Sequence, residues 1–296
     1  MIAKIIDGLS VAAGIQEQVK VQVESLARKG VKPCLCTILV GENPSSITYI
    51  NKKQKAAHDV GISTKDLRFN ETLSQEELLQ VISGLNSDSN VHGVLVQLPL
   101  PKHIDQNVII NKLYPLKDVD GLTPFNSGML MKGKPAITPC TPTGILELLD
   151  FYKINVVGMD VLIINRSSLV GKPLACLLLE RGSTVTVCHS KSKKLEEKLN
   201  RSEMIISAVG NREHFTLSGD MVKPGAVIID VGISRFKGKI CGDVDFDSVR
   251  TKASWITPVP GGVGPMTVAI LLRNTVSAAF SAVGIGNMSI YDQHSG

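Results

Sequence analysis

Two α/β domains with parallel sheets are predicted for this chain by three observations. The first half alternates short β-like runs with helical patterns, a second alternation of the same kind begins near residue 159, and a long helix closes the chain with no strand after it. The expected division is residues 1–141 for the first domain and 142–266 for the second, with the final helix, inside 267–296, returning to complete the first.

In the first domain Pro33–Val40, Lys65–Phe69 and Val91–Leu98 read as strands. Between them Ser46–Val60 has helical periodicity, and a second helix runs from Gln75 to about Leu85. SQEE marks its start: Ser74 as N-cap and Glu77 three residues on form a capping box. The strand in VHGVLVQLPLP ends in prolines that cannot continue a ladder, so Gln97 falls at the carboxyl edge of the sheet, where open α/β sheets take ligands. TPTGILELLDFY leads into the second domain, with Thr141 as the expected cap, Pro142 in the first turn, and Ile145, Leu148, Leu149 and Tyr152 as an apolar stripe. MDVLIIN, STVTVCH, MIISAVG and GAVIIDVG then read as strands, with a helix near Lys172–Arg181. ASWIT is a short strand-like run ahead of GGVGP, which opens the last helix, roughly Thr267–Val283; the tail GIGNMSIYDQHSG is weakly patterned and expected to fray.

Composition narrows the function classes. A chain that is 43% hydrophobic and 20% charged reads as soluble and globular, and a net charge of +5 without a long basic run does not favour nucleic acid as a partner. The six cysteines show no CxxC and no zinc-type Cys/His spacing, so no metal is expected; they read as small core residues of a reducing compartment. No signal peptide is recognised, and no apolar run is expected to reach the length of a membrane span, which together point to the cytoplasm.

Within SITYINKKQKAAHDV three lysines fall in four residues, and a wheel at about 100° per residue separates them. Tyr49, Ile50, Ala56, Ala57 and Val60 share one arc with Lys53 near its middle, whereas Lys52 and Lys55 point elsewhere. A helix packs its apolar arc inward, so Lys53 is expected to leave water while its neighbours stay wet. Either its stem is buried with the ammonium snorkelling to solvent, or the amine is desolvated and able to exchange protons near neutral pH.

VLIINRSSLVGKPLACLLLERGSTVTVCHSKS has the length of a dinucleotide-binding strand–loop–helix–strand unit, with NRSSLVGKP where a phosphate would meet amides at a helix N-terminus. GxGxxG is absent and only Gly171 remains, so an ordinary packing unit explains the stretch as well. The end of its second strand is more informative. NAD sites place a carboxylate there for the ribose 2′-hydroxyl, but the chain reads Cys188-His189-Ser190-Lys191-Ser192. Hydroxyl and cationic donors suit a 2′-phosphate, and Arg166 could add a bidentate fork, which favours NADP over NAD. His189 itself reads as a local hydrogen-bonding residue. GGVGP suits either a hinge or a backbone approached closely by a flat ligand. KDVDG offers Asp118 and Asp120, between which the residues alone do not choose, and Asp230 in IIDVG suits a strand-end turn.

Read in order, YINKK, VQLPLP, KDVDG, CTPTG, NRSSLVGKP, CHSKS and TPVPGGVGPMT span nearly the whole chain, and the set resembles the bifunctional methylenetetrahydrofolate dehydrogenase/methenyltetrahydrofolate cyclohydrolase family. The large synthetase region of trifunctional relatives is not expected here. The resemblance implies an N-terminal α/β folate-binding domain, an NADP-binding Rossmann-type domain, and a cytoplasmic homodimer. It implies NADP-dependent oxidation of 5,10-methylenetetrahydrofolate to the methenyl form and hydrolysis to 10-formyltetrahydrofolate, with tetrahydrofolate derivatives, polyglutamylated or not, as substrates. Lys53 matches the catalytic lysine, Gln97 its hydrogen-bonding glutamine, Asp120 the carboxylate that anchors the pterin, and Tyr49 the stacking aromatic residue. Ile50, Asn51, Lys52, Val96, Leu98 and the loop Pro260, Gly261, Gly262, Val263 and Gly264 fall on substrate segments; Asn165, Arg166, Ser167, Ser190 and Ile233 fall on cofactor segments. The family's loop usually begins Gly-Arg-Ser; here Asn165 takes the glycine position, as a residue able to adopt a left-handed conformation but carrying a side chain toward the cofactor.

Two alternatives compete with this reading. A shikimate-dehydrogenase-like enzyme shares a two-domain plan with a catalytic lysine, and is disfavoured by YINKK together with PGGVGPMT. A non-catalytic NADP- or folate-binding regulator would be expected to have lost Lys53 or Gln97.

Overall fold

The computed structural model describes residues 2–236 and 238–284, so the fraying expected of the tail lies outside the described residues beyond Gly284. Along the chain run β1 (Lys4–Ile5), α1 (Gly8–Ala27), β2 (Cys34–Val40), α2 (Pro44–Asp59), β3 (Ser63–Phe69), α3 (Gln75–Ser87), β4 (Gly93–Val96), α4 (Gln106–Lys112), α5 (Pro124–Met131) and α6 (Cys140–Phe151). There follow β5 (Asp160–Ile164), α7 (Gly171–Glu180), β6 (Thr184–Cys188), α8 (Leu195–Arg201), β7 (Met204–Ser207), β8 (Val227–Asp230), a hairpin of β9 (Ser234–Phe236) and β10 (Lys239–Cys241), α9 (Phe246–Arg250), β11 (Trp255–Ile256) and α10 (Val263–Ala282). They divide into two compact units: Met1–Ala13, Met129–Lys134 and Pro139–Thr267 form one, and Gly14–Gly128, Pro135–Thr138 and Val268–Gly296 the other.

The second of these units is built on a parallel sheet in the order β3-β2-β4. Every residue of β2, CLCTILV, is buried, as a strand covered on both faces requires. The edge strand β3 turns Thr64, Lys65, Asp66 and Arg68 outward, and charge on an edge discourages further pairing. The Ser74–Glu77 capping box forms as expected, opening α3, whose Leu78, Ile82 and Leu85 pack with Ile38, Val94 and Ile109. β4 has glycine where the neighbouring segments come closest: a Cβ on Gly93 would lie 2.7 Å from Val119. The last helix belongs here from Val268 on, and Asn274 Nδ2 donates to the Val119 and Thr138 carbonyls at 2.9 and 3.0 Å. Contrary to the expectation that no run reaches the length of a membrane span, α10 is long and apolar enough to cross one, but 67% of its apolar window is buried inside the protein, as in a core helix.

The other unit carries a six-stranded parallel sheet in the order β1-β11-β8-β7-β5-β6. The chain leaves β5 through α7 to β6 on one side, then returns through α8 to β7 on the other, so the strand order reverses between β5 and β7. The first strand departs from the sequence reading, which assigned residues 1–141 to a single domain. Lys4 and Ile5 pair with Trp255 and Ile256, Ala3 enters this unit's core, and the Lys4 ammonium lies 5.0 Å from the Trp255 ring centroid. A two-residue edge strand carries too little periodicity to be seen in advance. Thr141 is also not a cap: α6 starts from Pro139 with no side-chain cap, and Thr141 Oγ1 pairs instead with Thr267 Oγ1 at 3.0 Å.

Candidate active site

α2 starts two residues earlier than its apolar periodicity suggests, because Asn43 accepts from the Ser45 and Ser46 amides and Pro44 occupies the first helical position. The helix buries Ser46, Ile50, Lys53 and Ala57 and leaves Lys52 and Lys55 exposed, the separation that the wheel predicts. Lys53 is 8% exposed, and its Nζ donates to Gln97 Oε1 at 3.2 Å. Gln97 lies just past β4, its backbone amide bonded to the Ile38 carbonyl of β2 at 2.9 Å and its Nε2 donating to the Leu98 carbonyl at 2.8 Å. That second bond fixes which end of the amide faces the lysine. Since β2 has β3 on one side and β4 on the other, Lys53 and Gln97 meet where this sheet's strand order reverses, the usual ligand position in an open α/β sheet. Among the described residues no carboxylate lies within ion-pair distance of Lys53.

Tyr49 is half-buried one turn before Lys53, and burial pushes its phenol above the ordinary value. Ile50 and Val96 are core residues, 0% and 3% exposed, so only their backbone is available to a ligand. Asn51 accepts from Arg68 Nη2 at 3.1 Å, and Leu98 is half-buried. The two aspartates of KDVDG have different surroundings. Asp118 is 1% exposed and accepts from the Thr123 amide at 2.7 Å and Asn126 Nδ2 at 2.9 Å, which makes it the loop's internal cap. Asp120 is half-buried and precedes Gly121, whose φ of +70° makes the turn.

In the six-stranded unit the loop after β5 carries Asn165, Arg166 and Ser167 at the β5/β7 reversal. Asn165 does not adopt the left-handed conformation suggested for it, and its side chain turns into the loop: Oδ1 accepts from the Ser167 amide at 2.7 Å and the Gly171 amide at 3.2 Å, and Nδ2 donates to Ala208 O at 2.6 Å. Gly171 is required by close approach, since a Cβ there would sit 2.1 Å from the Asn165 carbonyl oxygen. Arg166 and Ser190 are exposed, and Ile233 is 44% exposed just past β8. His189 serves its own loop, accepting at Nδ1 from the Lys191 amide while its backbone amide donates to Ser192 Oγ. With Arg166, Ser167, Ser190 and Lys191 as donors and no carboxylate at the end of β6, these residues fit a dinucleotide bearing a 2′-phosphate.

Pro260–Gly264 belongs to the same unit, and its glycines answer to packing as well as to any ligand. A Cβ on Gly262 would lie 2.6 Å from the Pro258 carbonyl oxygen, one on Gly8 would lie 1.8 Å from Gly262 O, and Gly261 has φ +107°. Two buried carboxylates support the neighbouring loops. Asp230, as its strand-end position suggested, accepts from the amides of Gly232, Asp243 and Val244; burial raises its pKa to about 6 against these bonds. Asp243 escaped the sequence reading; it accepts from Ser207 Oγ and from the Val209 and Gly210 amides. Its signal was the pairing of Gly232 and Gly242 with two aspartates, since a Cβ on either glycine would fall within 2.2 Å of a carboxylate.

A parallel sheet with a nucleotide-type first loop, and a separate α/β unit holding a buried lysine, define a dinucleotide-dependent oxidoreductase of two-domain plan. Residues 6–120 match the tetrahydrofolate dehydrogenase/cyclohydrolase catalytic domain, and 139–283 the NAD(P)-binding domain of the same family. The chain is similar to the bifunctional protein FolD of Nitrosopumilus maritimus, 50% identical over 95% of this chain and 98% of that one, and of Cenarchaeum symbiosum, 52% identical over 92% and 97%. Among solved structures it resembles the FolD methylenetetrahydrofolate dehydrogenase/cyclohydrolase of Campylobacter jejuni, with TM-score 0.92, 47% identity and coverage of 94% and 99%. It also resembles the Trypanosoma brucei enzyme complexed with NADP cofactor and inhibitor, with TM-score 0.90, 38% identity and coverage of 96% and 99%. The chain belongs to the tetrahydrofolate dehydrogenase/cyclohydrolase family.

Proposed function

We propose that Lys53 moves the protons of the hydrolytic reaction, with Gln97 holding its Nζ in place. The activity within which it acts is that of the family. The protein is a bifunctional enzyme that oxidises 5,10-methylenetetrahydrofolate to 5,10-methenyltetrahydrofolate with NADP and hydrolyses the product to 10-formyltetrahydrofolate. The observation that carries the role of Lys53 is a buried amine facing a neutral acceptor, with no described carboxylate to lock it as ammonium.

In hydrolysis, water adds to the cationic carbon between the two folate nitrogens. A carbon–oxygen bond forms and the water's proton passes to the Lys53 amine. Collapse of the adduct breaks the carbon bond to one nitrogen, which takes a proton back from Lys53, while the adduct's hydroxyl loses its proton to solvent as the carbonyl forms, leaving the formyl group on the other nitrogen. General acid–base help of this kind contributes about 10² to 10⁴-fold. NADP, when bound, supplies the hydride-accepting chemistry of the first step. Arg166, Ser167, Ser190 and Ile233 would hold and orient the cofactor, and Asn165 shapes their loop. Tyr49 stacks on the folate and Asp120 anchors its pterin, with the segments Ile50–Lys52 and Val96–Leu98 completing the contacts of their unit.

The substrate is a tetrahydrofolate derivative, with or without a polyglutamyl tail, and the enzyme works as a homodimer, as the family resemblance implies. Its compartment is the cytoplasm, a reading supported by six free cysteines, four of them buried. The testing experiment follows NADP-dependent formation of the methenyl chromophore and then its decay in one cuvette. Formation without enzyme-dependent decay would remove the hydrolytic half of the proposal.

A further inference from the structure

We propose that Asn165 is a positioning residue that staples the cofactor loop into its binding shape before any ligand arrives. The inference rests on the reading of this loop as the NADP site and adds a distinct claim about how the loop is held. One side chain makes three bonds. Its Oδ1 gathers the amides of Ser167 and Gly171, near the two ends of the turn, and its Nδ2 reaches Ala208 O past the neighbouring strand β7. The staple therefore spans both strands of the reversal at which a dinucleotide meets this sheet.

Three further contacts close the same turn: the Val170 amide donates to Ser167 Oγ at 3.1 Å, the Lys172 amide donates to Ser167 O at 3.0 Å, and Gly171 sits against the Asn165 carbonyl. With both ends pinned, Arg166, Ser168 and Leu169 form the exposed crest. The arrangement has a cost and a gain. Two loop amides are occupied by Asn165 and are withdrawn from the cofactor's phosphates, while the ordering of the loop that binding would otherwise require is already complete. A glycine at this position would free both amides and release the Ala208 carbonyl, leaving a looser turn to be ordered by the ligand.

Asn165→Gly and Asn165→Asp separate these effects. Aspartate keeps the acceptor for Ser167 and Gly171 and loses the donor to Ala208. Hydrogen exchange in the protein without cofactor is expected to show the Ser167 and Gly171 amides protected in wild type and in Asn165→Asp, and exchanging faster in Asn165→Gly. NADP titration by calorimetry is expected to show roughly tenfold weaker binding for Asn165→Gly, the scale of two ordinary hydrogen bonds, with KM for NADP rising and kcat at saturation changing little. Arg166→Ala, measured alongside, tests the underlying site. If Arg166→Ala weakens NADP while Asn165→Gly binds as tightly as wild type, or if the two amides exchange equally fast in wild type and Asn165→Gly, the staple is refuted and the site stands. If neither variant changes NADP binding, the assignment of this loop to NADP fails, and the inference with it.

Discussion

Replacing Gln97 by glutamate places a negative charge against the one amine on which the hydrolytic mechanism depends. The Nζ of Lys53 lies 3.2 Å from Gln97 Oε1, and unit charges at that separation attract by about 5 kcal/mol at an effective dielectric of about 20. The net effect is smaller. The new carboxylate must give up water, and its second oxygen would face the Leu98 carbonyl that now accepts from Nε2 at 2.8 Å. If about 2 kcal/mol of that attraction survives, it opposes proton transfer from Lys53 by roughly 30-fold. Gln97→Glu is therefore expected to lose about 30-fold in methenyltetrahydrofolate hydrolysis. The assay is the initial rate of methenyl chromophore loss across a pH series, with Gln97→Leu as the uncharged control. A Gln97→Glu enzyme with the wild-type rate and pH profile would refute the argument that Lys53 must give up its proton.

Other consequences concern the cofactor and the fold. Arg166→Ala is expected to weaken NADP by about 10 to 100-fold, the range for charge-assisted bonds, and NAD far less; equal losses for the two nucleotides would remove the 2′-phosphate assignment. His92, buried beside Lys117, accepts from the Cys34 amide at Nδ1, and burial lowers its pKa from 6.5. The unfolded chain then binds the proton more readily than the native one, so the stability that His92 contributes is full above about pH 6.5 and is lost as pH falls toward its native pKa, at no more than about 1.4 kcal/mol per pH unit. Denaturant melts of wild type and His92→Asn should converge or cross as the pH drops through this window, and parallel curves would exclude His92 as the origin.

How far the fold was legible depended on the length of each signal. The strands around Ile38, Val94 and Ile205 carry short apolar runs with β-branched residues, as a buried parallel sheet favours, and the Ser74–Glu77 box is a local motif, so both were readable. The two-residue pairing of Lys4 and Ile5 with Trp255 and Ile256 was not, because a contact between positions so far apart leaves no local pattern. Lys53 was legible because its wheel position conflicts with its charge, and such conflicts between local pattern and residue type concentrate at functional sites. Asn165 was noticed as a departure from a motif, but its three bonds depend on where β7 ends, which the loop itself does not encode. Asp243 went unread for the same reason: its carboxylate serves amides more than 30 residues away, and the nearby glycines show their purpose only once the chain is folded.

The central claim is tested most directly by Lys53→Met, which keeps the buried stem and removes the amine. Enzyme-dependent hydrolysis of purified methenyltetrahydrofolate should fall by about 10² to 10⁴-fold while calorimetric NADP binding stays at the wild-type value. Hydrolysis at the full wild-type rate in that variant would contradict the account.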